Sequence, residues 1–393
     1  MIIEVKTNQR NYPIIIERGA ICKAAEIVYG EPGTDTAVSG TAKSGTADTG
    51  AVGSGFTNSG TAGFDGTKRG IIEPGSKAFI VTDSGIPDKW KEALQRQFPS
   101  SPMFIFEQGE ASKNISTYKE ILSWLASNRA SRKDTVIALG GGVTGDMAGF
   151  AAATYMRGIS YINIPTTSLS QIDSSIGGKT AIDLDGLKNI VGAFWQPSAV
   201  IIDTNTLSTL PARQLAAGLA EAVKSGLIGD AGLFEIFEEM EALAFMQPTA
   251  QADTLASRLD GIIYRSLMVK KAIVEQDENE ASLRKLLNLG HTYGHAYESY
   301  YAGRYLHGEC VAMGMMTIIQ DEEIRTRLGK VLKMLDLPIS CDADKGRIAE
   351  LVMSDKKAVG NHIEIAQVDE IGKAHLETWS IGKLRDMLET VQQ

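Results

Sequence analysis

Residues 134–155 read DTVIALGGGVTGDMAGFAAATY. The run TVIAL is apolar, rich in β-branched residues and of strand length. It breaks at Gly140-Gly141-Gly142-Val143-Thr144-Gly145-Asp146 into MAGFAAATY, a stretch of helical composition. A buried strand that ends in a glycine turn and feeds a helix is the repeating unit of a parallel α/β sheet. Glycines at such a turn let backbone approach a ligand. The helix that follows offers free N–H groups and a positive dipole end to a pyrophosphate. The spacing fits G-x-G-x-x-G, a weak signal by itself. It lies well inside the α/β region, and no ribose-binding acid is evident about 20 residues on.

Outward from this stretch the same alternation continues. KAFIVTDSG (77–85) reads as a buried strand with a turn, and IPDKWKEALQRQF (86–98) as an amphipathic helix. PMFIFEQGE (102–110) reads as strand and loop, and NISTYKEILSWLASN (114–128) as helix. Residues 2–17 predict a hairpin around Asn11–Pro13, and a short helix is expected from Ala20 to Tyr29. Between about Gly30 and Gly75 the chain is Gly, Thr, Ser and Ala with few large apolar residues, which predicts a disordered insertion. After Pro211 the spacing turns helical and stays so, as in ARQLAAGLAEAVKSGLI and SRLDGIIYRSLMVKKAIVEQD. The expected architecture is an α/β, Rossmann-like domain with a parallel sheet over residues 1–180. A mostly α-helical domain follows over 181–393, with the active site in the cleft between them.

With 393 residues the chain is long enough for two domains, and 43% hydrophobic with 22% charged residues is ordinary globular composition. The net charge of -9 speaks against nucleic acid or an anionic membrane surface as partners. An anionic substrate would therefore need a local cluster of Lys and Arg. Cys22, Cys310 and Cys341 form no pair at disulfide-framework or metal spacing and read as inert thiols. The amino terminus carries charges among its apolar residues, and no apolar run reaches membrane-spanning length, so the cytoplasm is the expectation.

Three of the five histidines, His291, His295 and His307, fall in NLGHTYGHAYESYYAGRYLHGE. A lone histidine is more often a satisfied core residue than a ligand. Three in one short window, two of them four residues apart on one helix face and flanked by Gly290 and Gly294, predict a metal or catalytic site. Glu221 and Lys224 lie three apart in the apolar helix LAEAVKSG, where charges need partners.

The runs IPTTSLSQIDSSIGGKTAI, LKNIVGAFWQP, LPARQLAAGLAEAVKSGLI, LNLGHTYGHA and LHGECVAMGM resemble the 3-dehydroquinate synthase family. The resemblance covers the chain apart from the low-complexity segment. It implies a divalent metal, zinc or cobalt, held by Glu221, His291 and His307. It implies NAD+ bound by Asp83, Glu110, Lys113, Gly141, Gly142, Asp146, Thr166, Thr167, Asp173, Lys179 and Lys188. For substrate it implies Arg157, Lys179, Asn189, Lys224, Lys270, Arg284, Asn288, His295 and Lys356, with Lys357 as an adjacent alternative to the last. Six of these nine side chains are cationic, which answers the charge problem, since Arg and Lys hold carboxylate and phosphate. The family often has Gly before the Lys188-Asn189 pair, where this chain has Leu187.

The reaction so implied is the second step of the shikimate pathway, which leads to chorismate and the aromatic amino acids. Its substrate is 3-deoxy-D-arabino-heptulosonate 7-phosphate, a sugar-acid phosphate. Oxidation of the C5 hydroxyl by NAD+ acidifies C6, phosphate leaves by β-elimination, and NADH returns hydride to C5. Ring opening and an intramolecular aldol step then give 3-dehydroquinate, with His295, Lys179 and Asn189 relaying protons. The resemblance implies a homodimer. Another sugar-phosphate cyclase would share the metal and NAD residues, but Arg284, Asn288, His295 and Lys356 together favour a carboxylate-bearing substrate. A related polyol dehydrogenase would release NADH and would not need six cationic groups.

Overall fold

The computed structural model describes residues 1–30, 70–73, 75–246, 251–355 and 362–390. Most of the expected insertion, and both Lys356 and Lys357, lie outside the described residues. At the insertion's borders, Ile71 and Ile72 both donate their N–H to Val28 O, at 2.8 and 3.2 Å. The described residues on either side of segment 31–69 therefore meet.

The strands are β1 (Ile2–Val5), β2 (Tyr12–Ile16), β3 (Ala78–Asp83), β4 (Met103–Phe106), β5 (Thr135–Gly140), β6 (Ser160–Pro165), β7 (Lys179–Leu184), β8 (Leu187–Phe194), β9 (Ala199–Ile202), β10 (His362–Glu370) and β11 (Lys373–Ser380). The α-helices of the first half are α1 (Ala24–Tyr29), α2 (Asp88–Gln97), α3 (Ile115–Ser127) and α4 (Gly142–Thr154). Those of the second are α5 (Ala212–Gly229), α6 (Ala231–Met246), α7 (Gln251–Val274), α8 (His291–Tyr301), α9 (His307–Ile318), α10 (Glu322–Met334), α11 (Lys345–Asp355) and α12 (Ile381–Thr390).

Seven strands form one sheet in the order β1-β2-β9-β6-β5-β3-β4, and only the edge strand β1 runs antiparallel to its neighbour. Side chains alternate across it as the pleat requires. Ile80, Ile137 and Leu139 face the core under α1 and α2, while Phe79, Val81, Val136 and Ala138 face the core under α3 and α4. Both faces are covered, which is why these strands read as unbroken apolar runs.

One sequence expectation needs correction. The glycine turn is shorter than expected, because α4 begins at Gly142 and the stretch Gly142–Asp146 is its first turn. The seven-stranded sheet includes β9, Ala199–Ile202. The second half is mostly helical, as expected, and carries one antiparallel hairpin, β10 and β11. The β7–β8 hairpin stands apart from the main sheet.

The halves share apolar surface. Ile14, Ile16, Val200 and Ile202 belong to the same core as Leu219, Val223, Phe234, Tyr293 and Val311 of the helical half. The segment Ser170–Ser174, beyond the carboxyl end of β6, packs against α5 and α7.

Candidate active site

Glu221 and Lys224 sit one turn apart on α5, exposed by 1% and 2% respectively, and form an ion pair. His291 is the first residue of α8 and His307 the first of α9. Their Nε2 atoms stand 3.7 and 3.6 Å from Glu221 Oε1. Close approach of the helices requires glycine. A Cβ on Gly308 would lie 1.7 Å from Ala217 O of α5, so only a residue without one lets α9 deliver His307 there.

Hydrogen bonds fix both imidazoles. His291 Nδ1 donates to Leu289 O at 3.2 Å, and His307 Nδ1 donates to Glu298 Oε2 at 3.1 Å. Since carbonyl and carboxylate oxygens only accept, both Nδ1 atoms carry hydrogen and both Nε2 atoms are turned toward Glu221. Lys224 takes Glu221 Oε2, which leaves Oε1 to face the two Nε2 atoms. Burial opposes its charge, but Lys224 and the two histidines hold the carboxyl well below its usual range. Burial and Lys224 drive His291 well below the usual imidazole value. For His307, burial is outweighed by Glu221 and Glu298, which push it up to about 9. One ligand atom from each of Glu221, His291 and His307 lies within 4.8 Å of the others. Two imidazole nitrogens and a buried carboxylate at that spacing fit a divalent metal, with a position left for substrate. His295 closes this face, its ring centroid 5.3 Å from that of His291 and 6.0 Å from that of His307.

Cationic side chains gather around the triad from both halves. Lys270 of α7 pairs with Asp173 at 3.0 Å and also donates to its backbone carbonyl at 2.7 Å. Burial lowers Lys270 to about 8 against the pull of Asp173, with Arg284 and Lys224 adding to the fall. Burial works to raise Asp173, but Lys270 and Lys224 hold it below its usual value. Arg284 is 2% exposed and lies against Gly177, where a Cβ would stand 2.3 Å from the guanidinium. That glycine also has φ +93°, a backbone state side chains disfavour. Lys179, at the start of β7, pairs with Glu280, to which Asn288 Nδ2 also reaches at 3.5 Å.

Of the expected cofactor residues, Asp83, Gly141, Gly142, Asp146, Thr166, Thr167 and Asp173 lie at or beyond the carboxyl ends of β3, β5 and β6, Glu110 and Lys113 follow β4, and Lys179 and Lys188 lie on the β7–β8 hairpin. Helix α4 has no side-chain cap. A Cβ at Gly141 would come within 3.1 Å of Thr167, and one at Gly142 within 3.3 Å of Ser174. Those clearances leave bare backbone N–H groups at the helix start, which fits a phosphate group. Asp83 accepts from Thr144 Oγ1 at 2.7 Å and so ties β3 to this helix. Thr166 is buried beyond β6 with its Oγ1 unpartnered among the described residues, and Thr167 Oγ1 meets Ser170 Oγ at 2.8 Å. Lys113 is buried, 2.6 Å from Asp146, 3.9 Å from Glu110 and 2.5 Å from Asn189 Oδ1. Burial pushes the Asp146 carboxyl up to about 6 despite that ammonium. Asn189 has a left-handed backbone (φ +56°), pinned where its N–H donates to Asp183 at 2.8 Å. Lys188 pairs with Glu298 at 2.6 Å, which brings the hairpin to the second oxygen of the carboxylate that orients His307.

Arg157 stands apart: it is exposed after α4 at φ +70°, and among the described residues no ion pair ties it to this cluster. Sequence reasoning passed over Glu280, Glu298 and Glu278. Glu298 carried a signal, because it lies seven residues after His291 and so on the same helix face. Glu278 and Glu280 lie in EQDENE, a run that reads as solvated surface.

The comparisons agree with this geometry. The family described as 3-dehydroquinate synthase N-terminal matches residues 103–217, and that described as 3-dehydroquinate synthase C-terminal matches residues 218–358. The 3-dehydroquinate synthase of Clostridium acetobutylicum is 40% identical over 317 residues, 77% of this chain and 86% of its own. Among solved structures, 2-epi-5-epi-valiolone synthase from Streptomyces hygroscopicus subsp. jinggangensis, with NAD+ and Zn2+ bound, superposes with a TM-score of 0.70 at 26% identity. It covers 80% of this chain and 91% of that one. A 2-deoxy-scyllo-inosose synthase shares the fold at 22% identity, with a TM-score of 0.76 over 99% of each chain. The chain belongs to the 3-dehydroquinate synthase family.

Proposed function

We propose that this chain converts 3-deoxy-D-arabino-heptulosonate 7-phosphate to 3-dehydroquinate and phosphate, as its family membership implies. The observation that carries the reading is the Glu221-His291-His307 triad surrounded by the buried cations Lys224, Lys270 and Arg284. A metal site walled by cations suits a hydroxyl-bearing dianion better than a neutral polyol. When bound, a divalent ion at the triad supplies Lewis-acid polarisation of substrate hydroxyls, and NAD+ at the start of α4 supplies a reversible hydride acceptor.

The chain's own residues bind and orient. Arg284, Lys270, Lys224 and Lys179 neutralise the carboxylate and phosphate, Arg284 through its planar fork and the lysines as point charges. Asn288 and Asn189 hold hydroxyls in place, and His295 moves the proton at the substrate oxygen beside the triad. Glu280, paired with Lys179, sits where it can take a proton or yield the lysine to substrate. Lys113 and Asp146 hold the hairpin against the cofactor end.

The same reading gives an α/β unit over residues 1–180 for the cofactor, its sheet completed by β9, and a mostly helical unit over 181–393 for the metal. It also gives a cytoplasmic homodimer. Support for self-association comes from the exposed apolar side chains Leu184, Leu187, Ile190 and Phe194 on one hairpin. No helix among the described residues is long and apolar enough to cross a membrane.

Purified protein is mixed with NAD+, Zn2+ and the heptulosonate phosphate, with parallel chelator and His291→Ala samples. Equal amounts of phosphate and dehydroquinate, without net NADH and lost on metal removal, are expected. No phosphate release from folded, metal-loaded protein would overturn the reading and direct attention to other sugar phosphates.

A further inference from the structure

The geometry points to Glu278 as the positioning residue for Arg284, a latch through which the turn of the first hairpin holds the substrate-binding guanidinium in place. The inference rests on the substrate role proposed for Arg284 above. Both carboxylate oxygens of Glu278 are taken by the first half of the chain. Asn8 N, in the β1–β2 turn, donates to Oε2 at 2.8 Å, and Gln196 Nε2, just after β8, donates to Oε1 at 3.0 Å. Gln9 Oε1 accepts from Gln196 N at 2.6 Å, and Lys6 N donates to Glu275 at 2.7 Å, so the turn and the 275–278 loop are joined at several points.

On its other side the loop holds the arginine. Arg284 Nη1 donates to Glu278 O at 2.8 Å and to Gly177 O at 3.1 Å. Asp277 closes the loop by accepting from the N–H groups of Ala281, Ser282 and Arg284 at 2.8 to 2.9 Å. One of the two carbonyls that aim the guanidinium thus belongs to the residue whose side chain is fastened to the first hairpin. Releasing that carboxylate frees the carbonyl and lets the guanidinium shift. A displacement of about 1 Å in a positioning group is enough to cost one to two orders of magnitude in binding or rate.

The latch needs two hydrogen-bonding atoms rather than a charge. Gln196 Oε1 is buried without a hydrogen-bond partner among the described residues. If the Gln196 amide turns over, it can accept from the amide introduced by Glu278→Gln, whose remaining oxygen still serves Asn8 N. Glu278→Ala offers neither atom.

The experiment compares parent, Glu278→Ala and Glu278→Gln holoenzymes in two measurements: steady-state phosphate release against substrate concentration, and hydrogen exchange of residues 275–284. Glu278→Ala is expected to raise KM about tenfold, with kcat within about threefold. It is also expected to speed exchange in 275–284 while leaving α8 and α9 unchanged. Glu278→Gln is expected to restore both. Parental KM and exchange in Glu278→Ala, or a Glu278→Gln enzyme indistinguishable from Glu278→Ala, would overturn the latch. If the parent itself releases no phosphate, the proposed function falls and hydrogen exchange alone decides the latch.

Discussion

Glu298 Oε2 accepts a hydrogen bond from His307 Nδ1 at 3.1 Å, and this bond decides which imidazole nitrogen faces Glu221. Glu298 is itself held below the usual carboxylate range: burial opposes the charge, but His307 and Lys188 outweigh it. Removing such a carboxylate frees the ring to rotate and weakens its basicity. Glu298→Ala is expected to weaken zinc affinity about 10- to 100-fold, read by chelator competition on the purified protein. Glu298→Gln, which keeps an acceptor, should lose less, and equal affinity in all three proteins would refute the role.

The Glu221–Lys224 pair is buried on both sides, so it also bears on stability. Breaking a buried pair strands the other charge, at a cost of about 3 kcal/mol or more. In metal-free protein, Glu221→Ala should therefore be much less stable to urea than the parent. Adding Lys224→Met should recover a good part of the loss. Similar midpoints for the single and double variants would show that Lys224 finds solvent instead.

Lys270 supplies the pH dependence. Burial lowers it from 10.5 to about 8, so it is charged at neutral pH and loses its charge as pH rises through about 8. Affinity for an anionic substrate should fall on that limb, with KM rising above pH 8, and Lys270→Met should flatten the rise. The stability effect has the opposite sign. Between about 8 and 10.5 the unfolded chain binds more protons than the folded one, so this residue's contribution becomes more favourable with rising pH. A KM profile that is level from pH 7 to 10 in the parent would remove Lys270 from substrate binding.

Gly308→Ala tests the packing that brings α9 to α5. The added Cβ would meet Ala217 O at 1.7 Å, and neither backbone can yield cheaply. A loss of about 1 to 3 kcal/mol in stability is expected, together with weaker zinc binding as His307 moves away. Full zinc affinity in this variant would mean that the helices slide without harm to the site.

Much of this is legible in the sequence. TVIAL, KAFIVTDSG and the histidine cluster each carry a local signature, whether period, glycine break or ligand spacing. AVII at 199–202 did not, because four apolar residues after a proline suit a strand or a buried helix turn equally. Glu280 and Glu278 were hidden for another reason. Their roles depend on partners at Lys179 and Asn8, about a hundred and 270 residues away, and no local pattern encodes such pairings.

The place of β9 sets a constraint on synthesis. Strand β2 pairs on its inner edge with β9, and β9 in turn bridges to β6. Until residue 202 has left the ribosome, the first hairpin has an open hydrogen-bonding edge lined by Ile14, Ile15 and Ile16, all buried in the finished protein. An apolar edge left waiting through half of translation invites pairing with a neighbouring nascent chain. The chain should therefore be most prone to aggregate when elongation stalls short of β9, whatever the stability of the completed enzyme.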